Sequence, residues 1–124
     1  MQIKELCKEA HKIAIDKGFW ELDKNKKLKF RNQSELLMLI VSELGEACEA
    51  LRKNNRQVQP KSLGQKRRFD LQGTWEKDTF EDEIADVFIR LGDMCEALDI
   101  DIVWQIKKKM EYNKTRPKKH GKAF

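Results

Sequence analysis

The chain has 124 residues, which is enough for one domain with a modest core but not for two. Its 26 Lys and Arg residues against 21 Asp and Glu give a formal net charge of +5, which suits an anionic ligand without distinguishing a nucleotide from a nucleic acid. The sequence has no run of eighteen apolar residues, so we expect no membrane span, and its three scattered cysteines favour a reduced, cytoplasmic protein.

The first predicted helix keeps an apolar period from Ile3 and ends before Gly18, a residue typical of helix C-termini. His11 lies near its apolar stripe, and Trp20 follows the glycine. A single histidine there is more often a packed or exposed helix residue than a ligand. An aromatic residue at a helix exit is more often a core anchor than a base-stacking group, although both uses are physically open.

The second predicted helix opens with a capping box of Asn32 and Glu35 and runs to about Lys53. Glu43 and Glu46 are three residues apart on it, so they project from one face at the edge of a buried stripe. Two carboxylates there repel each other and lose hydration, and a hard divalent cation is the least costly partner. A solvated acidic face is the alternative. The adjacent apolar stripe consists of Ile40, Leu44, Ala47 and Leu51.

Residues 54–77 lack a sustained period and contain many basic and polar side chains, so we expect a long loop or insertion. Its arginines and Trp75 are candidates to close over an anionic ligand. A solvated insertion explains the same composition equally well.

The third predicted helix is capped by Asp78 with Glu81 and repeats the acidic pattern, with Glu83 and Asp86 three residues apart. If it packs antiparallel to the second helix, four carboxylates meet and form a metal site. The absence of Cys and His from these faces argues against zinc and iron. Asp93 either joins this site or pairs with Arg90, and the sequence does not decide between them. The predicted buried stripe consists of Phe80, Ile84, Val87, Phe88, Leu91, Cys95 and Leu98.

The fourth predicted helix is capped by Asp101 and carries Lys109, Asn113 and Arg116 on one face. A core-facing stripe that becomes cationic and amidic favours contact with an anion such as a triphosphate. Departure of the helix from the core, with cations suiting the helix dipole, is the simpler alternative. Residues 117–124 form a short basic tail.

These residues together resemble the all-α nucleoside triphosphate pyrophosphatases, the MazG-like group, and within it the dCTP pyrophosphatase-like branch. The family motif Glu-x-x-Glu followed by Glu-x-x-Asp matches the two acid pairs, and its Lys-x-x-x-Asn-x-x-Arg matches the last helix. The branch also has a His and a Trp at the separation of His11 and Trp20. Two features depart from the pattern: the gap between Glu46 and Glu83 is longer, and Arg90 stands where the branch tends to have an aromatic residue.

The resemblance implies a single-domain, four-helix bundle-like MazG fold spanning residues 1–124, and a homodimer or homotetramer. It also implies a hydrolase acting on phosphoric anhydride bonds, which converts a (d)NTP and water to (d)NMP and pyrophosphate for nucleotide-pool sanitation or control. Mg²⁺, with Mn²⁺ as a possible substitute, is the expected cofactor. In this family the four acids hold the metal, the last-helix residues contact phosphates, and the His and Trp hold the base. The implied residues are Glu43, Glu46, Glu83, Asp86, Lys109, Asn113, Arg116, His11 and Trp20.

The alternative is a small basic helical module that binds nucleic acid or a partner protein through residues 61–68 and the C-terminal tail. It predicts binding that weakens steeply with salt. It gives the four acids no purpose, because a carboxylate cluster repels a phosphate backbone unless a metal intervenes. Nucleic acid is therefore the less expected partner.

Overall fold

The structure is a computed structural model that describes residues 1–57 and 75–123, apart from the side chain of His120. The described residues form four α-helices: α1 (Ile3–Asp16), α2 (Gln33–Arg52), α3 (Phe80–Ala97) and α4 (Ile102–Lys114). A 3-10 helix, Lys118–Gly121, follows in the basic tail. No strand occurs within these residues, and a single bridge joins Leu22 and Leu28. The all-α prediction is confirmed.

Three of the helices end in the same way, with a left-handed residue just past the helix. After α1 this residue is Gly18, whose φ is +82°, as the sequence predicted. Asn54 and Asp99 take the corresponding positions after α2 and α3, with φ values of 52° and 55°. After α1 the amide of Phe19 then donates to the carbonyl of Ala14 at 2.9 Å, so a carbonyl of the last turn is satisfied.

The chain divides into two compact units, Met1–Lys29 with Gly92–Phe124, and Phe30–Leu91, and α3 contributes to both. In the first unit the core is built from small and sulfur-containing side chains of α1 and α3 together with Trp20. Gly92 of α3 lies so close to α1 that an added Cβ would stand 3.4 Å from the Cα of Cys7. The buried residues of this unit are Cys7, Ala10, Ala14, Trp20 and Cys95.

In the second unit the buried face of α2 differs from the predicted stripe. Leu44 and Leu51 are 45% and 46% exposed, whereas Glu43 is 7% exposed. The helix is therefore turned so that Glu43 lies within the buried face and not at its edge. On α3, Phe88 and Leu91 are also exposed, against prediction. The buried residues of α2 are Leu36, Ile40, Glu43, Ala47 and Ala50.

Helix caps were predicted correctly for α2 and α4 but not for α3. Asn32 Oδ1 accepts from the Glu35 amide at 3.1 Å, and Asp101 Oδ1 accepts from the Trp104 amide at 3.1 Å. At α3 the capping oxygen is Thr79 Oγ1, which accepts from the Asp82 amide at 3.2 Å. The predicted cap, Asp78, has a φ of 64° and lies outside the helix, so the predicted Asp78 cap is wrong.

Candidate metal centre

Three of the four predicted carboxylates meet in the second unit. Glu43 and Glu46 on α2 and Glu83 on α3 each offer an oxygen atom, and these atoms lie within 4.8 Å of one another. Asp86 is not part of this group of three. Glu43 influences the pKa of Asp86, so this carboxylate lies nearby. The pairing of α2 with α3 thus brings Glu83 to the acid pair of α2, with Asp86 nearby.

Glu83 is the most strongly perturbed carboxylate of the site. Glu83 is 7% exposed, and its Oε2 atom has no hydrogen-bond partner among the described residues. Burial first, then hydrogen bonding with Glu46 and the negative charges of Glu46, Asp86 and Glu43, together raise the pKa of Glu83 to about 7. Burial, followed by the charge of Glu43, likewise raises the pKa of Asp86. The site therefore concentrates negative charge from α2 and α3 in a small, largely buried volume.

One cation of α3 enters the acid cluster. Arg90 Nε donates to Glu43 Oε1 at 2.6 Å, and the two side chains are 36% and 10% exposed. The charge of Arg90 also lowers the pKa of Asp86, although burial and the neighbouring acids prevail. Arg90 follows Asp86 by one helical turn, which places both on one face of α3. Arg90 therefore pairs with Glu43 and not with Asp93, whose carboxylate binds His11 and Trp20.

A second group of acids shares Glu83. Asp78, Asp82 and Glu83 also offer oxygen atoms within 4.8 Å of one another. Asp78 is tied to Lys77 Nζ at 2.7 Å, and its amide donates to Asp82 Oδ2 at 2.8 Å. The sequence analysis did not select Asp82, although its position beside Glu83 at the start of α3 was the available signal.

The donors of the cluster fit a hard divalent cation. They are all carboxylate oxygens, which Mg²⁺ and Ca²⁺ prefer, whereas zinc and iron sites in proteins are usually built with His or Cys. Glu83 supplies the strongest evidence, because a buried oxygen without a partner is costly unless something else binds it. Glu43, Glu46 and Glu83 are therefore the residues suited to hold the ion.

His11 and Trp20, in the first unit, are joined by an acid that the sequence left unassigned. His11 Nδ1 lies 2.7 Å from Asp93 Oδ1, and Trp20 Nε1 donates to both Asp93 oxygens at 2.9 and 3.0 Å. The two rings meet edge to face, with centroids 5.8 Å apart. Trp20 is only 5% exposed, so its ring is largely enclosed by the chain. A carboxylate on Nδ1 favours a proton there and leaves His11 Nε2 as the second polar atom of the ring.

Two of the three predicted phosphate-binding residues, Lys109 and Arg116, lie around one aromatic ring in the first unit. Lys109 Nζ is 5.1 Å and Arg116 Cζ 5.5 Å from the centroid of Tyr112, which the sequence analysis did not select. Asn113 lies between them in sequence, and its buried Oδ1 has no hydrogen-bond partner among the described residues. These residues thus place two cations and an unsatisfied amide oxygen on one stretch of chain.

The basic stretch at residues 61–68 lies outside the described residues, so the binding surface of the alternative function is not described here. Trp75 is described, and it is 66% exposed. Within residues 1–57 and 75–123, no helix is both long and apolar enough to cross a membrane. Comparison of the chain with protein-family models, curated proteins and solved structures gave no match.

Proposed function

We propose that this chain is a Mg²⁺-dependent nucleoside triphosphate pyrophosphohydrolase of the MazG-like kind, with a fold like the four-helix bundles of that group. The observation that carries the proposal is the meeting of Glu43, Glu46 and Glu83, in which buried Glu83 keeps an unpartnered oxygen. A structural acid cluster would be expected to satisfy such an oxygen with a donor from the chain. A site that binds a cation leaves it available.

The reaction is attack of water on the triphosphate, which breaks the α–β anhydride bond and gives a nucleoside monophosphate and pyrophosphate. When bound, Mg²⁺ neutralises the phosphate oxygens and stabilises the charge that develops as the bond breaks. Glu43 and Glu83, both buried, hold the ion. Glu46 is exposed, so it is the carboxylate of the three best suited to orient the water or take its proton. Asp86 completes the acidic site.

The remaining residues bind the substrate. Lys109, Asn113 and Arg116 hold the phosphate chain, and the two cations around Tyr112 support this role. His11 and Trp20 hold the base. Since Trp20 is largely buried and both side chains are bonded to Asp93, we assign direct contact with the base to His11 and a supporting position to Trp20. dCTP-like nucleotides are the first candidates.

The active form is a homodimer or a higher homo-oligomer, and α2 provides the surface. Five exposed residues on α2 follow the 4-3-4-3 spacing that lets two helices pack along a seam. Gly45, beside this stripe, has no atom within 4 Å of where its Cβ would lie. A glycine within a helix lowers helix stability by about 1 kcal/mol relative to alanine. Close approach of a second α2, for which a side chain would leave no room, would explain why glycine stands here. The stripe consists of Leu37, Val41, Leu44, Cys48 and Leu51.

An antiparallel copy of α2 is the proposed occupant of this stripe. Antiparallel pairing opposes the two helix dipoles, which favours this orientation over a parallel one. The charges at the ends of α2 are already paired locally, Glu35 with Arg31, and Glu49 with Arg52 and Lys53, so they do not select the orientation.

The function is tested by incubating the purified chain with each ribo- and deoxyribonucleoside triphosphate, with and without Mg²⁺. We expect monophosphate and pyrophosphate only when Mg²⁺ is present, with one nucleotide preferred. Release of inorganic phosphate and a diphosphate would contradict the proposed bond cleavage, and no release from any nucleotide would contradict the function.

A further inference from the structure

Within the described residues, Arg90 is bound to the acid cluster through a single nitrogen, Nε. Its Nε donates to Glu43 Oε1 at 2.6 Å, and its two terminal nitrogens make no hydrogen bond within the described parts of the chain. An arginine has five N–H donors, so four remain for another partner. An arginine that serves only to neutralise a carboxylate gains more from a two-nitrogen fork than from a single contact.

The position of Arg90 matches the need of an anionic substrate. Glu43, Glu46, Glu83 and Asp86 repel phosphate oxygens, and a cation beside the metal ligands offsets that repulsion. Among the residues that the structure describes, Arg90 is the cation in direct contact with Glu43 of the metal cluster. Its side chain is 36% exposed, so a ligand can reach it, while Glu43 beneath it is 10% exposed and holds it in place.

We propose that Arg90 binds a phosphate of the substrate through its terminal nitrogens while its Nε stays on Glu43. This inference rests on the proposed function, and it adds a substrate-binding residue to the metal centre. Glu43 then has two roles, since one of its oxygens serves the ion and the other orients the guanidinium. The guanidinium's planar fork suits the geometry of a phosphate group.

The experiment is a calorimetric titration with pyrophosphate at saturating Mg²⁺, which requires no turnover. The variants are Arg90→Ala, Arg90→Lys and the control Arg52→Ala, which removes an arginine that is 81% exposed on α2. We expect Arg90→Ala to weaken pyrophosphate binding by about tenfold or more, Arg90→Lys to recover part of the loss, and Arg52→Ala to match the wild type. Circular dichroism verifies that each variant is folded.

A second titration with Mg²⁺ alone separates this role from simple neutralisation of Glu43. The inference predicts that Arg90→Ala binds Mg²⁺ as tightly as the wild type or more tightly, because Glu43 loses a competing cation. Pyrophosphate affinity equal to that of the wild type in Arg90→Ala overturns the inference and leaves the proposed function standing. A wild-type chain that binds neither Mg²⁺ nor pyrophosphate overturns the proposed function itself.

Discussion

Glu83 is the residue in which the conflict between burial and charge is greatest. It lies in the first turns of α3, is 7% exposed, and faces the carboxylates of α2. Ionising it without a cation sets a negative charge in a site that is already acidic, and its raised pKa of about 7 expresses that cost. A divalent cation bound here, Mg²⁺ in the proposed function, would remove this cost by supplying positive charge.

The raised pKa of Glu83 predicts how the stability of the metal-free protein depends on pH. Below the ordinary glutamate value of 4.5, the folded and unfolded chains both carry the proton, and the contribution of Glu83 is complete. As pH rises toward about 7, the unfolded chain releases the proton first, so the free energy of unfolding falls. The loss is on the order of 3 kcal/mol.

Urea denaturation in the presence of a chelator, between about pH 5 and pH 8, measures this loss. Glu83→Gln, which resembles the protonated form, should remove most of the slope. Glu96→Gln, at an exposed position on the same helix, should keep it. The lowered pKa of Glu81 makes the free energy of unfolding rise with pH, but at a lower pH than this range. A flat wild-type profile across this range would show that Glu83 ionises without difficulty.

Contacts between individual residues could be predicted from the sequence only where the two residues lie on one face of the same helix. The spacing of three residues paired Glu43 with Glu46, and Glu83 with Asp86. The contact between Arg90 and Glu43 joins positions 47 apart, and that between His11 and Asp93 joins positions 82 apart. Such contacts depend on how helices pack, and no local pattern encodes them.

At the scale of elements, the residues just before α3 fix the start of the helix that carries Glu83, a proposed metal ligand. Thr79 is 1% exposed, and its hydroxyl caps the helix while donating to the Glu76 carbonyl at 3.2 Å. Arg56 Nε donates to Glu81 Oε1 at 2.9 Å, and the Gln57 amide donates to Glu81 Oε2 at 2.9 Å. These contacts fix the start of the helix that carries Glu83.

Thr79→Ala is expected to lower the free energy of unfolding by about 1–2 kcal/mol, because the cap is lost. It should also weaken Mg²⁺ binding, since Glu83 is four residues further along the helix. Thr115→Ala is the matched control, because Thr115 Oγ1 makes one exposed bond to the Tyr112 carbonyl at the end of α4. Its effect should stay within about 0.5 kcal/mol. Denaturation and Mg²⁺ titration measure both, and equal losses in the two variants would contradict this role for Thr79.

The sequence located the four helices well but oriented two of them imperfectly. Apolar periodicity, with the signals of Gly18, Asn32 and Asp101, locates the end of α1 and the starts of α2 and α4, because these signals depend on neighbouring residues. The exposure of Leu44 and the burial of Glu43 depend on the helices packed against α2, so an apolar stripe does not determine them. For α3 both Asp78 and Thr79 are residues that can cap, and the left-handed backbone at Asp78 decides between them.

At the scale of the whole molecule, the proposal predicts that two chains associate through the exposed stripe of α2. Leu44→Lys places a charge in the centre of the exposed stripe and should lower the measured mass to that of a monomer in sedimentation. Ile13→Lys is the control, since Ile13 on α1 is 50% exposed and lies outside the stripe.

Cys48 provides a second measurement of the same surface, because Cys7 and Cys95 are buried and Cys48 is exposed. A short bis-maleimide should join two wild-type chains, and Cys48→Ser should prevent it. A wild-type chain that stays monomeric and gives no cross-linked dimer would contradict pairing through α2.

The account as a whole depends on the acid cluster acting as the metal centre of a pyrophosphohydrolase. The most direct test measures pyrophosphate release from the preferred nucleotide against Mg²⁺ concentration in the wild type, Glu83→Gln and Glu96→Gln. We predict Mg²⁺-dependent release by the wild type and Glu96→Gln, and none by Glu83→Gln while its helical circular dichroism is unchanged. Full release by Glu83→Gln would contradict the claim that this buried carboxylate holds the catalytic ion.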